Sequence, residues 1–233
     1  KSTGNCLYQE RILLYMNYDS VPLRDFKELN DWETVIFVYQ SALKQVETKI
    51  DILNGEFQHR HKYNPIEHVK SRIKTPESIV KKLKRHGYES SIENMVRYVN
   101  DIAGIRITCS FTSDIYLIAD MISKQNDLTI LARRDYMKNP KKSGYRSYHM
   151  LVTTPVFLSD SIIDTKVEIQ IRTVAQDFWA TLEHKMHYKF EGDGPDYITK
   201  ELRECARYVA ELDTRMEELN NEIQKYGKLS DKK

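Results

Sequence analysis

Basic residues cluster around a candidate helix start in the stretch SRIKTPESIVKKLKR. Ser78, Lys82 and Arg85 are spaced so that a helix would place them on one face. Arg72 and Lys74 come just before the helix N-terminus, whose free amide groups already favour anions. A hydroxyl and several cations at a helix start would suit a polyphosphate, although a solvated basic helix face gives the same pattern.

Two acidic residues far apart in the chain could hold a metal ion. Asp101 precedes the apolar stretch IAGIRITCSF, and Glu168 lies within KVEIQIRT. Mg²⁺ usually takes one or two carboxylates together with substrate phosphates. In isolation, Asp101 also fits a turn and Glu168 a solvent-exposed sheet face. Arg106, inside the apolar stretch, must be paired, stacked or facing a cleft, because an unpaired buried charge is too costly.

A basic loop, DYMKNPKKSGYRSYH, spans residues 135–149 and contains an aromatic residue next to a glycine. A nucleotide base can stack on a ring such as that of Tyr145. An ordinary packing tyrosine in a basic hairpin would give the same pattern. Gln170 lies two residues after Glu168 on the same predicted strand, so both side chains would share one face of the strand. Gln170 could hydrogen-bond a base edge or a ribose.

Periodicity predicts the elements that must position these residues. A helix is expected from Asp31, as N-cap, to Phe57, and a second from Pro76 to His86 with Thr75 as N-cap and Gly87 ending it. Strands and an intervening helix follow from period-two alternation and apolar runs. The strands are Ile102–Phe111, Leu128–Tyr136, Tyr148–Leu158 and Lys166–Thr173, with the helix at Ile115–Ile122.

The chain after Thr173 is predicted to be helical, with a break at Gly192-Asp193-Gly194-Pro195. The last helix, 196–226, carries a narrow apolar stripe typical of packing on the domain or on another subunit. Before Asp31 the sequence is less periodic and suggests a short helix and a turn. We expect a mixed α/β (α+β) fold with a four- or five-stranded sheet, divided into an extension (1–30), a domain (31–190) and a C-terminal helix (191–233).

Length, charge, cysteine content and missing motifs limit the classes of protein to which this chain can belong. With 233 residues and a net charge of +2, the chain fits a single domain whose anion sites must come from local clustering. Three separated cysteines fit a reducing cytoplasm better than a disulfide framework. No apolar stretch is long enough for a membrane helix. Neither G-x-x-x-x-G-K-[ST] nor G-x-G-x-x-G occurs, which disfavours the usual phosphate-loop and dinucleotide-binding folds.

Four motifs in order resemble the synthetase domain of the RelA/SpoT superfamily. They are R-x-K-x-x-x-S-x-x-x-K from Arg72, D-I-A-G-I-R-I from Asp101, G-Y-R-S-x-H from Gly144 and E-I-Q-I-R-T from Glu168. With YNPIEHVKSRIK and DFWATLEHK, the chain is most similar to small alarmone synthetases of the RelP type, from about Trp32 to Phe190.

This resemblance implies a nucleotidyltransferase-like sheet and transfer of pyrophosphate from ATP to the 3′-hydroxyl of GTP, GDP or GMP. By motif position, Arg72 and Arg106 would sandwich adenine, and Asp101 and Glu168 would bind Mg²⁺, Glu168 also serving as the base. The ATP phosphates would be held by Lys74, Ser78, Lys82 and Arg85. Tyr145 would stack on guanine, and the acceptor would also meet Lys141, His149, Gln170 and Arg134.

The resemblance also implies a homotetramer in the bacterial cytoplasm. No His-Asp dipeptide occurs in the chain, and this dipeptide marks the hydrolase domain of the long relatives, so we expect synthesis without hydrolysis. Ser143 stands where the family often has Asn, within the expected guanine-binding loop, which leaves the preferred acceptor open.

Other functions are compatible with parts of the pattern. A non-catalytic guanine-nucleotide sensor would use the same pocket, but it would not need both carboxylates. An RNA-binding or nucleotidyltransferase protein is disfavoured by the near-neutral charge and the lack of a long basic stripe. His184 and His187 have a spacing that zinc could use, although such a pair is more often structural.

Overall fold

The computed structural model describes residues 31–61, 63–189 and 196–230, without the side chains of 187–189, 196 and 226–230. The expectations for Lys1–Asn30, for the break at 192–195 and for a zinc site that includes the His187 side chain lie outside the described residues.

A five-stranded mixed sheet forms the centre of the fold. Its strands, in chain order, are β1 (Ile66–Ile73), β2 (Ala103–Cys109), β3 (Thr129–Asp135), β4 (Tyr148–Phe157) and β5 (Ile162–Thr173). The order across the sheet is β1-β2-β5-β4-β3. Only the β2–β5 pair is parallel, and β4 and β5 form the longest antiparallel pair. The parallel pair therefore joins the two acidic motifs at the middle of the sheet.

Six helices are described around the sheet. They are α1 (Trp32–His61), α2 (Pro76–Arg85), α3 (Ile92–Tyr98), α4 (Thr112–Ser123), α5 (Val174–Lys189) and α6 (Asp196–Ser230). Both predicted N-caps are confirmed: the Asp31 carboxylate accepts from the Thr34 N–H at 2.7 Å, and the Thr75 hydroxyl accepts from the Ser78 N–H at 3.3 Å. Gly87, with φ of 78°, follows the last turn of α2 as predicted.

The hydrophobic core lies on one face of the sheet. Alternate residues of the central strands, such as Ile105, Ile107 and Ile169, are buried there. Helices α1 and α4 cover this face with their apolar stripes, including Val38, Ala42, Val46, Ile115 and Ile118. The other face is left for polar side chains.

The predicted fold class is confirmed, with five strands. The four predicted strands and the helices around them are present with bounds shifted by a few residues, and β5 begins earlier, at Ile162. Two elements were not predicted. Arg72 lies in the edge strand β1, where we had placed only the approach to a helix, and α3 is a short helix between α2 and β2. None of the described helices combines the length and apolarity that crossing a bilayer requires.

Candidate functional site

The strand register builds two rows of residues on the face opposite to the core. From the edge strand β1 to β3, one row consists of Lys70, Arg106, Gln170, His149 and Arg134. The adjacent row consists of Arg72, Gly104, Glu168, Leu151 and Ala132. Residues that alternate along a strand share a face, so all five strands contribute to one surface. Most of the predicted strand residues therefore meet here.

Asp101 lies just before β2, where two lysines converge on it. The Lys74 Nζ is 2.9 Å from Oδ2, and the Lys82 Nζ is 2.7 Å from Oδ1. The Lys74 backbone N–H donates to the carbonyl of Ile102, which extends the β1–β2 pairing and brings Lys74 to this end of the sheet. Burial alone would raise the pKa of Asp101, but the two lysines lower it to about 2. The carboxylate is therefore ionised at neutral pH.

Glu168 lies on β5, held by two neighbours on the same face. Its Oε1 is 3.4 Å from His149 Nδ1, and its Oε2 accepts from Gln170 Nε2 at 2.8 Å. Burial would raise the pKa of Glu168, but the hydrogen bonds from His149 and Gln170 lower it. Burial also lowers the pKa of His149, which keeps the imidazole neutral at neutral pH. The site thus holds a second ionised carboxylate next to a neutral histidine.

A chain of hydrogen bonds connects Arg172 with Glu168. Nη2 of Arg172 donates to the Tyr145 hydroxyl at 2.7 Å, and that hydroxyl lies 2.8 Å from His149 Nε2. A neutral His149 that donates from Nδ1 to Glu168 must accept at Nε2, so Tyr145 donates to it. These bonds fix the orientation of the Tyr145 ring relative to the Glu168 carboxylate.

Two cations lie close to the Tyr145 ring at the wall of the site. Lys141 Nζ is 4.6 Å from the ring centroid and Arg172 Cζ is 5.0 Å from it. The ring also packs against a small apolar cluster formed by Trp179, Ala180 and Ala206. Burial raises the pKa of Tyr145, so the phenol stays protonated. The ring is anchored at its rear and at its hydroxyl.

Gly144 brings the loop before Tyr145 into close contact with α6. Its φ is 92°, a conformation that L side chains rarely adopt. A Cβ at this position would also lie 2.5 Å from the Cβ of Ala206. Both the turn and the contact with α6 therefore require glycine.

The two arginines predicted to sandwich adenine lie on adjacent strands. Arg72 is exposed opposite Gly104, and its side chain lies over this glycine, where a Cβ would be 3.9 Å from Arg72 Cγ. Arg106 is half-buried, and its Nη1 lies 3.3 Å from Oδ1 of Asp177. Arg172 binds the same carboxylate oxygen at 3.3 Å. Nε of Arg106 is buried and has no hydrogen-bond partner among the described residues.

A cavity of about 370 Å³ joins these groups. Its lining includes both carboxylates and the predicted acceptor residues: Lys82, Asp101, Arg134, Lys141, Tyr145, His149, Glu168 and Gln170. The other predicted residues lie outside this lining. Lys74 contacts Asp101, Ser78 and Arg85 are exposed on α2, and Arg72 and Arg106 lie on the sheet surface. The residues predicted to bind the acceptor and the metal ion thus line one cavity, and several of the residues predicted to bind ATP lie on the exposed surface outside its lining.

Sequence reasoning missed several residues of this site. Asp177 anchors two arginines, and Asn100, Tyr136 and Glu183 line the cavity. Asp177 lies in the first turn of a helix, where acids are common. The only sequence feature that could have pointed to Asn100 is its position directly before Asp101. Tyr136 directly follows β3, and its T-shaped contacts with Tyr145 and His149 have no sequence signature.

The carboxylate oxygens of this site fit a magnesium ion whose remaining ligands come from the substrate. Among the described residues, no group of three or more His, Cys, Asp or Glu side chains is arranged to hold a metal ion. Two ionised carboxylates, Asp101 and Glu168, nevertheless line the same cavity. Hard oxygen ligands in this number match the usual Mg²⁺ site, in which nucleotide phosphates supply further ligands.

Comparisons with known proteins identify related sequences and structures. A family model described as the region found in RelA/SpoT proteins matches residues 71–193. The chain is 45% identical over 195 residues to the GTP pyrophosphokinase YwaC of Bacillus subtilis, covering 84% of this chain and 93% of that protein.

Two solved structures from Bacillus subtilis share the fold. Small alarmone synthetase 2 superposes with a TM-score of 0.75 at 44% identity, covering 82% of this chain and 99% of that one. Small alarmone synthetase 1, bound to its product pppGpp, superposes with a TM-score of 0.77 at 34% identity, covering 83% and 98%. The predicted nucleotidyltransferase-like mixed sheet is therefore confirmed.

Proposed function

Since this chain belongs to the RelA/SpoT family, we propose that it is a (p)ppGpp synthetase, a GTP pyrophosphokinase that makes alarmone nucleotides. It transfers the β,γ-pyrophosphate of ATP to the 3′-hydroxyl of GTP or GDP, and GMP is a further candidate acceptor. One observation carries the proposal: two ionised carboxylates, Asp101 and Glu168, line a single cavity with the ring of Tyr145. Such a cavity offers metal ligands beside a surface for a base.

The metal ion in this proposal is Mg²⁺. Asp101 and Glu168 would hold it, and when bound it would neutralise charge on the ATP phosphates. Both Asp101 oxygens already contact lysines. A carboxylate oxygen has more than one acceptor site, so these contacts leave room for a further cation. The lysines stay close enough to bind phosphate oxygens as well.

Pyrophosphate transfer forms one bond and breaks one. The 3′-oxygen of the acceptor bonds to the β-phosphorus of ATP, and the bond from that phosphorus to the α–β bridging oxygen breaks, so AMP leaves with this oxygen. Glu168 is ionised and accepts the proton of the 3′-hydroxyl. Negative charge spreads over the phosphoryl oxygens, and Lys74 and Lys82 stabilise it. Alignment and charge supply the catalysis, since no covalent intermediate is needed.

The acceptor nucleoside binds on the Tyr145 side of the cavity. Guanine stacks on the Tyr145 ring, which contributes about 1–3 kcal/mol by analogy with other stacked bases. Gln170 and His149 lie beside Glu168, within reach of the ribose that carries the 3′-hydroxyl. Lys141 and Arg134 line the same wall and meet the 5′-phosphates of the acceptor.

ATP binds on the open side of the sheet. The flat guanidinium groups of Arg72 and Arg106 lie on neighbouring strands in adjacent rows, so a purine can lie against them. The buried Nε of Arg106 is a hydrogen-bond donor that no described residue uses. Ser78 and Arg85 extend the cationic helix face along the phosphates.

The proposal also covers reaction direction, location and assembly in outline. We expect synthesis without hydrolysis, because the chain contains no His-Asp dipeptide. The bacterial cytoplasm is the expected location. A homotetramer is expected, and the exposed apolar residues Leu212, Met216 and Ile223 of α6 are compatible with burial against another subunit.

The decisive experiment is a product assay. Purified protein is incubated with Mg²⁺, ATP labelled in the β-phosphate, and GTP, GDP or GMP, and the nucleotides are separated by chromatography. AMP and a labelled guanosine 3′-pyrophosphate are expected in equal amounts. The matched control is Glu168→Gln, which keeps the shape of the side chain and removes its charge. Binding of GTP without any product would instead identify a nucleotide sensor, and the absence of both would refute the proposal.

A further inference from the structure

Lys166 is a buried ammonium group that the proposed reaction does not use. It lies on β5 and only 5% of its surface is exposed. Its Nζ donates three hydrogen bonds to uncharged oxygens: the carbonyls of Val96 and Arg97, at 3.0 and 3.1 Å, and Oδ1 of Asn100, at 3.0 Å. Keeping a charged ammonium group away from water inside the protein is costly. No carboxylate in the described part of the chain pairs with this buried cation, which calls for an explanation.

The three acceptors belong to a single segment, the end of α3 and the turn that follows it. Val96 and Arg97 lie in the last turn of α3, whose carbonyls have no partner inside the helix. A cation at this end of a helix is also favoured by the helix dipole. Asn100 follows the helix, lines the cavity, and directly precedes Asp101. The ammonium group therefore holds the backbone that presents Asp101.

The same lysine is rigidly connected to the other carboxylate. Lys166 and Glu168 are two residues apart on β5, on the same face of the strand. β5 is paired on both sides, with β2 and with β4. The hydrogen bonds of Lys166 thus span the gap between the strand of Glu168 and the turn of Asp101. The Lys74 and Lys82 ammonium groups contact only the Asp101 side chain, and the Lys74 N–H holds the carbonyl of the residue that follows Asp101. The bonds of Lys166 constrain the other side of Asp101, the turn that precedes it.

We infer that Lys166 is a positioning residue that sets the separation of Asp101 and Glu168, and thereby the affinity of the metal site. This inference rests on the proposed function, because it takes the two carboxylates to be the metal ligands. A helix cap without this role would stabilise α3 and leave metal binding unchanged. The difference between these two roles is measurable.

The test compares Lys166→Met with the wild type. Mn²⁺ replaces Mg²⁺, and its binding is followed by electron paramagnetic resonance in the presence of the non-hydrolysable analogue α,β-methylene ATP. We expect the Kd for Mn²⁺ to rise at least 10-fold, with kcat falling and the KM for the guanine nucleotide unchanged. Lys49→Met is the matched control, because it removes a lysine whose ion pair with Asp127 is remote from the cavity.

A second variant covers the case in which Lys166→Met does not fold. Asn100→Ala removes only the hydrogen bond nearest to Asp101 and keeps the two bonds to α3. It should weaken Mn²⁺ binding in the same direction at nearly unchanged thermal stability. If a folded variant binds Mn²⁺ as the wild type does, Lys166 has no positioning role. If the wild type itself binds no Mn²⁺ with the ATP analogue, the assignment of the metal ligands is wrong and this inference falls with it.

Discussion

The two halves of the cavity wall are stabilised by different interactions. Around Asp101, two lysines hold the carboxylate by charge, and the α2 residues Ser78 and Arg85 are exposed. Around Tyr145, a chain of neutral and charge-assisted hydrogen bonds runs from Arg172 to His149, and the ring is anchored on a packed cluster. The first half can rearrange when phosphates arrive, because lysine ammonium groups move easily between anions. The second half has its geometry fixed before the nucleotide binds.

This difference assigns separate tasks to the two halves. The Asp101 half provides charge, so its contribution should be lost when charge is removed even if shape is kept. The Tyr145 half provides orientation, so its contribution should depend on shape and on hydrogen bonds. The following predictions test this separation, in order of decreasing effect.

Neutralising either carboxylate should have the largest effect. Asp101→Asn and Glu168→Gln keep the side-chain shape and remove the charge, and each should reduce kcat by about 10²- to 10³-fold, the size seen when a preorganised electrostatic group is lost. Product formation is measured by chromatography under saturating ATP and acceptor. Glu67→Gln, an exposed acid on β1, should retain full activity. A loss below about 10-fold in both carboxylate variants would contradict the assignment.

Changes at Tyr145 should separate stacking from orientation. Tyr145→Ala should raise the KM for GTP about 10- to 100-fold, since a stacked base contributes about 1–3 kcal/mol. Tyr145→Phe keeps the ring but removes the hydroxyl that links Arg172 with His149. It should change the KM for GTP by no more than a few-fold and should lower kcat. The reason is that the hydroxyl no longer orients His149, which contacts Glu168. Equal effects of both variants on KM would show that the ring does not stack on the base.

Acid should remove the contribution of Asp101 to folding stability. Its pKa is lowered to about 2 in the folded protein, so the ion pairs stabilise the fold above the unfolded pKa of about 4 and are lost as the pH falls through about 2. Urea unfolding at pH 7 should show the wild type more stable than Asp101→Asn by roughly 2 kcal/mol. The difference should shrink steadily below pH 4. A constant difference down to pH 2.5 would contradict this account.

Neutralising Asp213 should raise the folding stability, whereas neutralising Asp101 lowers it, and this change should be the smallest of the four. This α6 carboxylate accepts hydrogen bonds from Thr173 and Gln176, behind the Tyr145 half, and burial raises its pKa. A raised pKa means that stability is fully present below the unfolded pKa and is lost as the pH rises through the folded value. Asp213→Asn should therefore stabilise the protein at pH 7 by less than about 1 kcal/mol, by analogy with other single polar substitutions. Thermal unfolding at pH 7 and pH 4 should show the gain only at pH 7.

Much of the fold was predictable because its elements carry strong patterns. The alternation in KVEIQIRT predicts the polar face of β5, and the N-caps Asp31 and Thr75 set two helix starts within one residue. The edge strand β1 was missed because charged residues such as Lys70 and Arg72 face solvent along it and only Ile66 is buried. The short helix α3 has too few turns to show a period.

The site was predicted in its residue types but not in its connections. Motif order pointed to Asp101, Glu168 and Tyr145, which line one cavity. The links between them depend on side chains whose neighbours come from distant segments, as with Asp177 between Arg106 and Arg172. Spacing along the chain contains no information on such contacts. The role of Lys166 was invisible for the same reason, because its partners precede it on another element.

The parallel pairing of β2 with β5 has a consequence for protein synthesis. The strand that follows Asp101 can align with the strand of Glu168 only after the intervening helix and two further strands have been made, because the register puts Gly104 beside Glu168. Parallel pairs of this kind form late in folding, since they close a long loop. A ribosome-bound or truncated chain that ends before β5 therefore lacks Glu168 and the surface that brings it near Asp101. Under the proposed function, such a chain would be inactive, and nucleotide turnover would be confined to molecules whose sheet is complete.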